Sequence, residues 1–581
     1  MPAGGNDGCG PAERAAAAAR PTGVPEYVRD VGVKCDATPN RSKDVISDTR
    51  TAYDDGAYGA APGKGDATAT AQLKKYDGAT AMYLESSATY DAYGRQQTVT
   101  ELSADLTSTG GKSPSRTERT DGLTTSTVYS PGTGLPTKIT KTSPPATPGD
   151  STSAQTTTTE LDPLRGQTAA SVDTNGKRTE FRYDAFGRSW MLWLANRKTT
   201  DLPNYQFNYY VEEGKPTAVA TRTLNPVGDS QVTSYTLYDG LLRARQVQAP
   251  GPEGGRLLTD TFYDPRGLVT KTFAPYYTTG RPDRLLFTPD NALSVESQTW
   301  KPYDGLGRET ESRQVAGNGD GGKILAATHT TYGGDRTTVI PPTGGTATTS
   351  LTDARGHTTE LRQHQNASAE APYDTTRYVY TPAGKLAKVT DPTGNMWTYT
   401  FDQRGNQVAS TDPDKGTTKA TFDDRGHQTS STDSRGVTLA TTYDGLGRTT
   451  TLRDDTADGA LRAKWVYDTV PGAKGQLAES TRFVGGQAYT HKVTAYDRLY
   501  QPQRTAMVVP DSEGKLGGTY LDDTGYYANG LVKSASFSAA GAHPGGNWTT
   551  TYEDDTLRPI ATFDGQGVRA DTSYSYTGQP L

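Results

Sequence analysis

Residues 401–448 read FDQRGNQVASTDPDKGTTKATFDDRGHQTSSTDSRGVTLATTYDGLGR, and one phrase returns three times within them. An aromatic residue, an Asp, two loose positions and a Gly stand at Phe401-Asp402…Gly405, Phe422-Asp423…Gly426 and Tyr443-Asp444…Gly447, a period of 21 residues. Asp at the first position and Gly at the fourth suit a type I turn. The carboxylate accepts a backbone N–H two residues on, and Gly tolerates the left-handed conformation that returns the chain to a strand. Asp264-Pro265-Arg266-Gly267 adds the Pro favoured at the second position. A second Asp-led turn falls inside each period, so Asp391, Asp402, Asp412, Asp423, Asp433 and Asp444 follow at alternating spacings of 11 and 10 residues. About six or seven residues remain for each strand, or about 20 Å at roughly 3.3 Å per residue. Strands joined by tight turns run antiparallel, so the pattern predicts an all-β chain built as one long antiparallel meander.

Alternation says which face is covered. Trp397, Tyr399 and Phe401 lie two apart and share one face, while Met396, Thr398 and Thr400 share the other. Phe422 and Tyr443 are expected to be largely buried on the same wall face as these aromatics. The phrase recurs far upstream, at Tyr90-Asp91…Gly94-Arg95, Tyr183-Asp184…Gly187-Arg188, Tyr238-Asp239…Arg243 (without the Gly) and Tyr303-Asp304…Gly307-Arg308. The array is most regular over 380–448 and carries longer excursions over about 190–380. Self-similarity at a fixed period marks a repeat architecture. We expect residues 1–50 to form a leader or linker with little regular structure, and residues 51–581 to form the repeat domain. A β-propeller is the rival fold, since four strands of half a period approach one blade. The phrase, however, returns every 21 residues with no modulation at twice that length between 380 and 448.

Composition narrows the class. Hydrophobic residues are 33% of 581, low for thick cores, yet 34 Tyr, 11 Phe and 6 Trp at strand spacing are not a disordered composition. A single curved sheet, which buries little per residue, reconciles the two, because long twisted sheets curl or close. With 60 basic and 66 acidic residues there is no basic stripe to bind nucleic acid. No apolar run approaches the roughly 20 residues of a membrane span. The five-Ala run Ala15–Ala19 lies between Arg14 and Arg20 and is too weakly apolar for a signal peptide. Cys9 and Cys35 precede the repeats and are either a disulfide or two free thiols.

The phrase Tyr-Asp-x-x-Gly-Arg at this period resembles the RHS/YD-repeat family. Tyr443-Asp444-Gly445-Leu446-Gly447-Arg448 and Tyr303-Asp304-Gly305-Leu306-Gly307-Arg308 lie close to its consensus, and interleaved turns such as Asp353-Ala354-Arg355-Gly356 are similar to it too. Matching copies run from about residue 90 to 576. The resemblance implies a strand ribbon spiralling round a cavity. In bacterial polymorphic toxins such shells enclose a C-terminal toxic polypeptide, and teneurin adhesion receptors carry related repeats. On this basis the chain is expected to be a secreted or cell-surface structural shell segment, not an enzyme, that encapsulates or presents a C-terminal polypeptide. An adhesin holding surface carbohydrate is the alternative. The family's C-terminal core and toxin domain are not recognisable before Leu581, so the shell is expected to be incomplete, and no autoprotease residues carry over.

Motifs for chemistry resolve into structure. Gly317-Asn318-Gly319-Asp320-Gly321-Gly322 matches G-x-G-x-x-G, but a Thr-rich strand pattern follows where a dinucleotide site needs a helix. Asp412, Asp414, Gly416 and Asp423 hint at a calcium loop but place Thr417 and Asp423 where Gly and Glu belong. His329, His357, His364, His427, His491 and His543 are scattered, with no metal-binding spacing. We therefore expect no catalytic residue, cofactor or metal. The residues singled out form the structural signature: Tyr183, Asp184, Gly187, Arg188, Tyr303, Asp304, Gly307, Arg308, Phe401, Asp402, Gly405, Phe422, Asp423, Gly426, Tyr443, Asp444, Gly447 and Arg448. The Arg after the Gly is expected to pair with acids and to set register at most.

Overall fold

A computed structural model describes residues 27–31, 40, 44–110, 114–290, 295–317, 322–539, 544–565 and 567–581. Cys9, Cys35, the Ala15–Ala19 run, His543 and the centre of the glycine loop at 318–321 lie outside the described residues. Forty-one strands run through the described part as an antiparallel meander, with only short 3-10 turns as helix. Strand pairs such as Met396–Phe401 with Gln407–Asp412, Gly416–Phe422 with Gln428–Thr432, and Thr438–Tyr443 with Thr449–Asp454 follow the turn spacing. This is a continuous meander, not a set of separate blades, so the propeller alternative is set aside.

The turn explains the phrase. In the last copy of the opening stretch, Gly447 N–H donates to the Asp444 carbonyl at 3.0 Å and Asp444 N–H donates to the Arg448 carbonyl at 3.0 Å. Gly447 has φ 77°. This is a type I turn closed by a left-handed residue and a one-residue bulge, which fits the twist of the flanking strands. The register shifts beside the aromatic each time, at Thr400/Phe401, Thr421/Phe422 and Thr442/Tyr443. In the copy that lacks Gly, Leu242 takes the left-handed position at φ 59°. An L-residue there is strained by about 1–2 kcal/mol.

Two expectations are corrected. Strands Tyr27–Val31 and Val45–Tyr53 pair antiparallel, so regular structure begins before residue 51. Phe422 and Tyr443 are half-buried, not largely buried. In strand Met396–Phe401 the aromatic face is likewise half-buried while Met396 and Thr400 are exposed. A wall one sheet thick offers each ring only its neighbours along the sheet and no second layer to cover it.

By contacts the chain divides into two compact units, Met1–Thr158 with Ser350–Arg362 and Asp374–Trp465, and Thr159–Thr349 with Gln363–Tyr373 and Val466–Leu581. The first has an apolar cluster of Val45, Ala71, Leu73, Ala81, Tyr83, Ala104 and Leu106. Beside it, buried Glu85 accepts from Tyr58 Oη at 2.8 Å, Ser103 Oγ at 2.9 Å and Arg116 Nε at 2.9 Å. The second unit has clusters around Leu258, Phe273, Tyr276 and Val295, and around Val470, Ala473 and Ala478. Inside each unit, segments about 300 residues apart in sequence also meet along their turns. In the first, Gly445 N–H donates to the Ala146 carbonyl at 2.8 Å, and Arg425 donates to the Asp121 carbonyl. In the second, Asn175 Nδ2 donates to the Lys474 carbonyl and Lys474 N–H donates to Asn175 Oδ1, both at 2.8 Å.

Candidate functional site

The Asp-led turns form a linked row. Asp304 Oδ1 accepts the amides of Leu306 at 2.9 Å and Arg308 at 3.0 Å, and Oδ2 accepts Arg308 Nε at 2.8 Å. Asp184 with Arg188 and Asp444 with Arg448 repeat the arrangement. Asn406 stands in for the Arg beside Asp402, and His427 beside Asp423. The Arg308 amide, and with it the Arg308 guanidinium, holds the Asp304 carboxyl below its ordinary range against the opposing effect of burial.

Two further contacts fasten many of these turns to their neighbours. The guanidinium of Arg188 lies 4.1 Å over the Tyr209 ring, Arg243 lies 4.4 Å over Tyr263, and Arg308 lies 4.3 Å over Tyr332. Histidines take the same place: His357 stacks on Tyr380 at 4.6 Å and His427 on Tyr443 at 4.7 Å. The tyrosine hydroxyl meanwhile donates across the sheet to a backbone carbonyl. Tyr183 reaches Thr168 at 2.8 Å, Tyr303 reaches Val269 at 2.7 Å, Tyr380 reaches Thr358 at 2.9 Å and Tyr443 reaches Gln428 at 2.8 Å. In every case the acceptor lies two residues beyond the left-handed Gly of a preceding turn: Gly166, Gly267, Gly356 and Gly426. Burial, with Asp423 adding to it, holds the Tyr443 phenol above its ordinary value, so it donates rather than ionises.

Each signature group is thus local, and the groups are joined in series rather than gathered into one centre. Sequence reasoning paired the Arg only with acids and missed its stacking on the next aromatic. The signal was present: a cation follows the Gly in one period and an aromatic opens the next, a spacing that suits cation–π contact across neighbouring strands.

A cleft of about 860 Å³ lies in the first unit, with Asp121, Pro145, Thr421, His427, Thr442 and Tyr443 on its wall. Thr421 and Thr442 on that wall are already paired, with Thr429 and Thr450 respectively, both at 2.8 Å. Among the described residues, no group of three or more His, Cys, Asp or Glu is arranged to hold a metal ion. Around the calcium-like stretch, Asp412 Oδ1 accepts the amides of Asp414 and Lys415 at 2.9 Å and Oδ2 accepts Trp397 Nε1 at 3.1 Å, so that carboxylate serves its own turn. No helix of the described residues is long and apolar enough to cross a membrane.

A one-sheet antiparallel wall with this turn row is the architecture of a repeat-built β-sheet protein. Residues 380–417 match the family model described as RHS Repeat. No curated protein sequence matches it. Among solved structures, the chain is similar to TcdB2-TccC3-Cdc42, with a TM-score of 0.70, 12% identity, and coverage of 96% of this chain and 35% of that one. It is similar also to TcdB2-TccC3, with a TM-score of 0.60, 12% identity and coverage of 96% and 39%. A Photorhabdus luminescens Tc holotoxin pore matches with a TM-score of 0.59, 13% identity and coverage of 96% and 37%. At these identities the likeness is one of fold, and the chain spans between 35% and 39% of the length of those chains.

Proposed function

We propose that this chain is a non-enzymatic structural segment of the shell of a secreted, RHS-type bacterial toxin system, and that it encloses or presents a C-terminal polypeptide. The carrying observation is the likeness in fold, over 96% of the chain, to a structure of TcdB2-TccC3-Cdc42. The contacts between segments about 300 residues apart within each unit support it, since a ribbon that meets itself along its turns can build a wall broader than one strand. The partner on this reading is another toxin-system component or the enclosed polypeptide. A carbohydrate-holding adhesin has less support, because the ring faces that would stack on sugar are taken by Arg or His from the neighbouring turn.

The test is protection. A small reporter protein fused after Leu581 and expressed with the chain should resist added protease at concentrations that digest the free reporter. Digestion at the free reporter's rate, with the β-sheet intact by circular dichroism, would overturn the proposal.

A further inference from the structure

Strand Ala244–Pro250 places Gln246 and Gln248 two residues apart on one face, and both side chains are buried, at 1% and 0% exposure. An amide carries both a donor and an acceptor, so a row of them at strand spacing can imitate the edge of a β-strand. Here it does so. Gln248 Oε1 accepts Asp283 N–H at 3.0 Å and Gln248 Nε2 donates to the Leu285 carbonyl at 2.7 Å. Gln246 Oε1 accepts Phe287 N–H at 3.0 Å and Gln246 Nε2 donates to the Phe287 carbonyl at 2.8 Å. Residues 281–289 are not a strand, yet their backbone is held on the sheet face as if they were.

Three side chains anchor the segment in addition, the first being Arg284, which pairs with Glu212 at 2.6 Å and lies 4.4 Å over the Tyr210 ring. The Asp283 carboxylate pairs with Arg256 at 3.0 Å, and Phe287 packs on the cluster of Leu258, Phe273, Tyr276 and Val295. Between them Leu285 and Leu286 point outward, 55% and 42% exposed. The face is satisfied beneath the segment as well: Gln246 Nε2 reaches Asp260 at 2.9 Å, and Tyr276 Oη donates to Asp260 at 2.6 Å. It is therefore a surface that reads main chain, with Arg256 at the Asp283 carboxylate and 5.2 Å over the Phe287 ring, and the apolar cluster against that ring.

We propose that the Gln246–Gln248 face is a binding site for an extended polypeptide carrying a carboxylate and, four residues later, an aromatic side chain. In this structure the chain's own Asp283–Phe287 segment fills it. Backbone capture of this kind takes any extended chain and leaves selectivity to the side-chain contacts. The inference deepens the reading of the chain as the holder of a polypeptide, and rests on that reading only for the source of the natural occupant.

The probe is a fluorescein-labelled peptide with the sequence of residues 281–289, RPDRLLFTP, titrated against the full chain and read by anisotropy. In the triple variant Asp283→Ala/Arg284→Ala/Phe287→Ala, the internal segment loses its three side-chain anchors while the receiving face is untouched. That variant should bind the peptide at least tenfold more tightly than the unmodified chain, and adding Gln246→Leu and Gln248→Leu should abolish binding. A peptide with Asp and Phe exchanged should bind at least tenfold more weakly. A folded triple variant that does not bind RPDRLLFTP overturns the proposal. Hydrogen exchange on the unmodified chain decides independently of folding of the variants. The Asp283 and Phe287 amides should exchange much faster than those of strand Arg256–Tyr263, and equal protection would make the segment a fixed part of the wall. Neither result depends on the reporter-protection test above, so one reading can fail while the other stands.

Discussion

At Gly447 the backbone is left-handed, φ 77°, and a Cβ would lie 2.8 Å from His427 Nε2, the ring that stacks on Tyr443. At Gly436 φ is 82° and a Cβ would meet nothing within 4 Å. The two positions therefore separate backbone strain from disruption of the row. Gly436→Ala should cost about 1–2 kcal/mol from the left-handed conformation alone. Gly447→Ala should cost more, because His427 must leave its place, and the excess should vanish in a His427→Ala background. Urea unfolding of the four variants checks this, and equal costs at both glycines in the native background would refute the stacking argument.

Between elements, the hydroxyl bond from Tyr443 to the Gln428 carbonyl joins strand Thr438–Tyr443 to strand Gln428–Thr432 at the mouth of a turn. Tyr443→Phe keeps the ring and its contact with His427 and removes only that bond, so it should cost about 0.5–1.5 kcal/mol. Phe422 fills the equivalent place one period earlier and has no hydroxyl to give. By the rule that the acceptor lies two residues past the left-handed Gly, here Gly405, its partner would be the Gln407 carbonyl. Phe422→Tyr should then stabilise the chain by a similar amount, read as a rise in denaturant midpoint at unchanged slope.

Across the whole molecule the bonds that matter join distant parts of the sequence. The Asn175 side chain bonds both backbone groups of Lys474, 299 residues away. Asn175→Ala should cost about 1–2 kcal/mol. It should speed exchange of the Lys474 amide while leaving the hairpin Arg178–Tyr183 with Ser189–Trp193 protected. Acid should act on many turns together. The carboxyls of Asp239, Asp304, Asp353 and Asp433 are all held below the ordinary carboxylate range. The leading causes are the Arg243 side chain, the Arg308 amide, the His357 amide and the Arg435 side chain respectively. A group whose folded pKa is depressed contributes stability that is fully present above its unfolded pKa and is lost as pH falls through the folded pKa. Thermal stability should therefore hold steady down to about pH 4 and decline below it, and Asp239→Asn should shallow that decline. A flat profile from pH 5 to pH 2.5 would contradict the assignment.

The sequence by itself determined the strand, the turn and the beat. Asp and Gly three residues apart dictate a type I turn with a left-handed close, and a turn every 10 or 11 residues leaves room only for short antiparallel strands. Those are local rules, settled by φ, ψ and side-chain reach within a few residues. Part of the signature's purpose was also legible at that range, as the bond of Asp184 to Arg188 shows. The depth of burial at Tyr443 was not, because it depends on how many layers the sheet has, and a period of 21 residues is silent on that. Only the tertiary structure paired Asn175 with Lys474 and laid Asp283–Phe287 across Gln246 and Gln248. A buried Gln and an exposed one read alike in a Thr- and Gln-rich strand. What distinguishes them is a segment that returns after a long excursion, and the free energy of that return lies in contacts that no local pattern encodes.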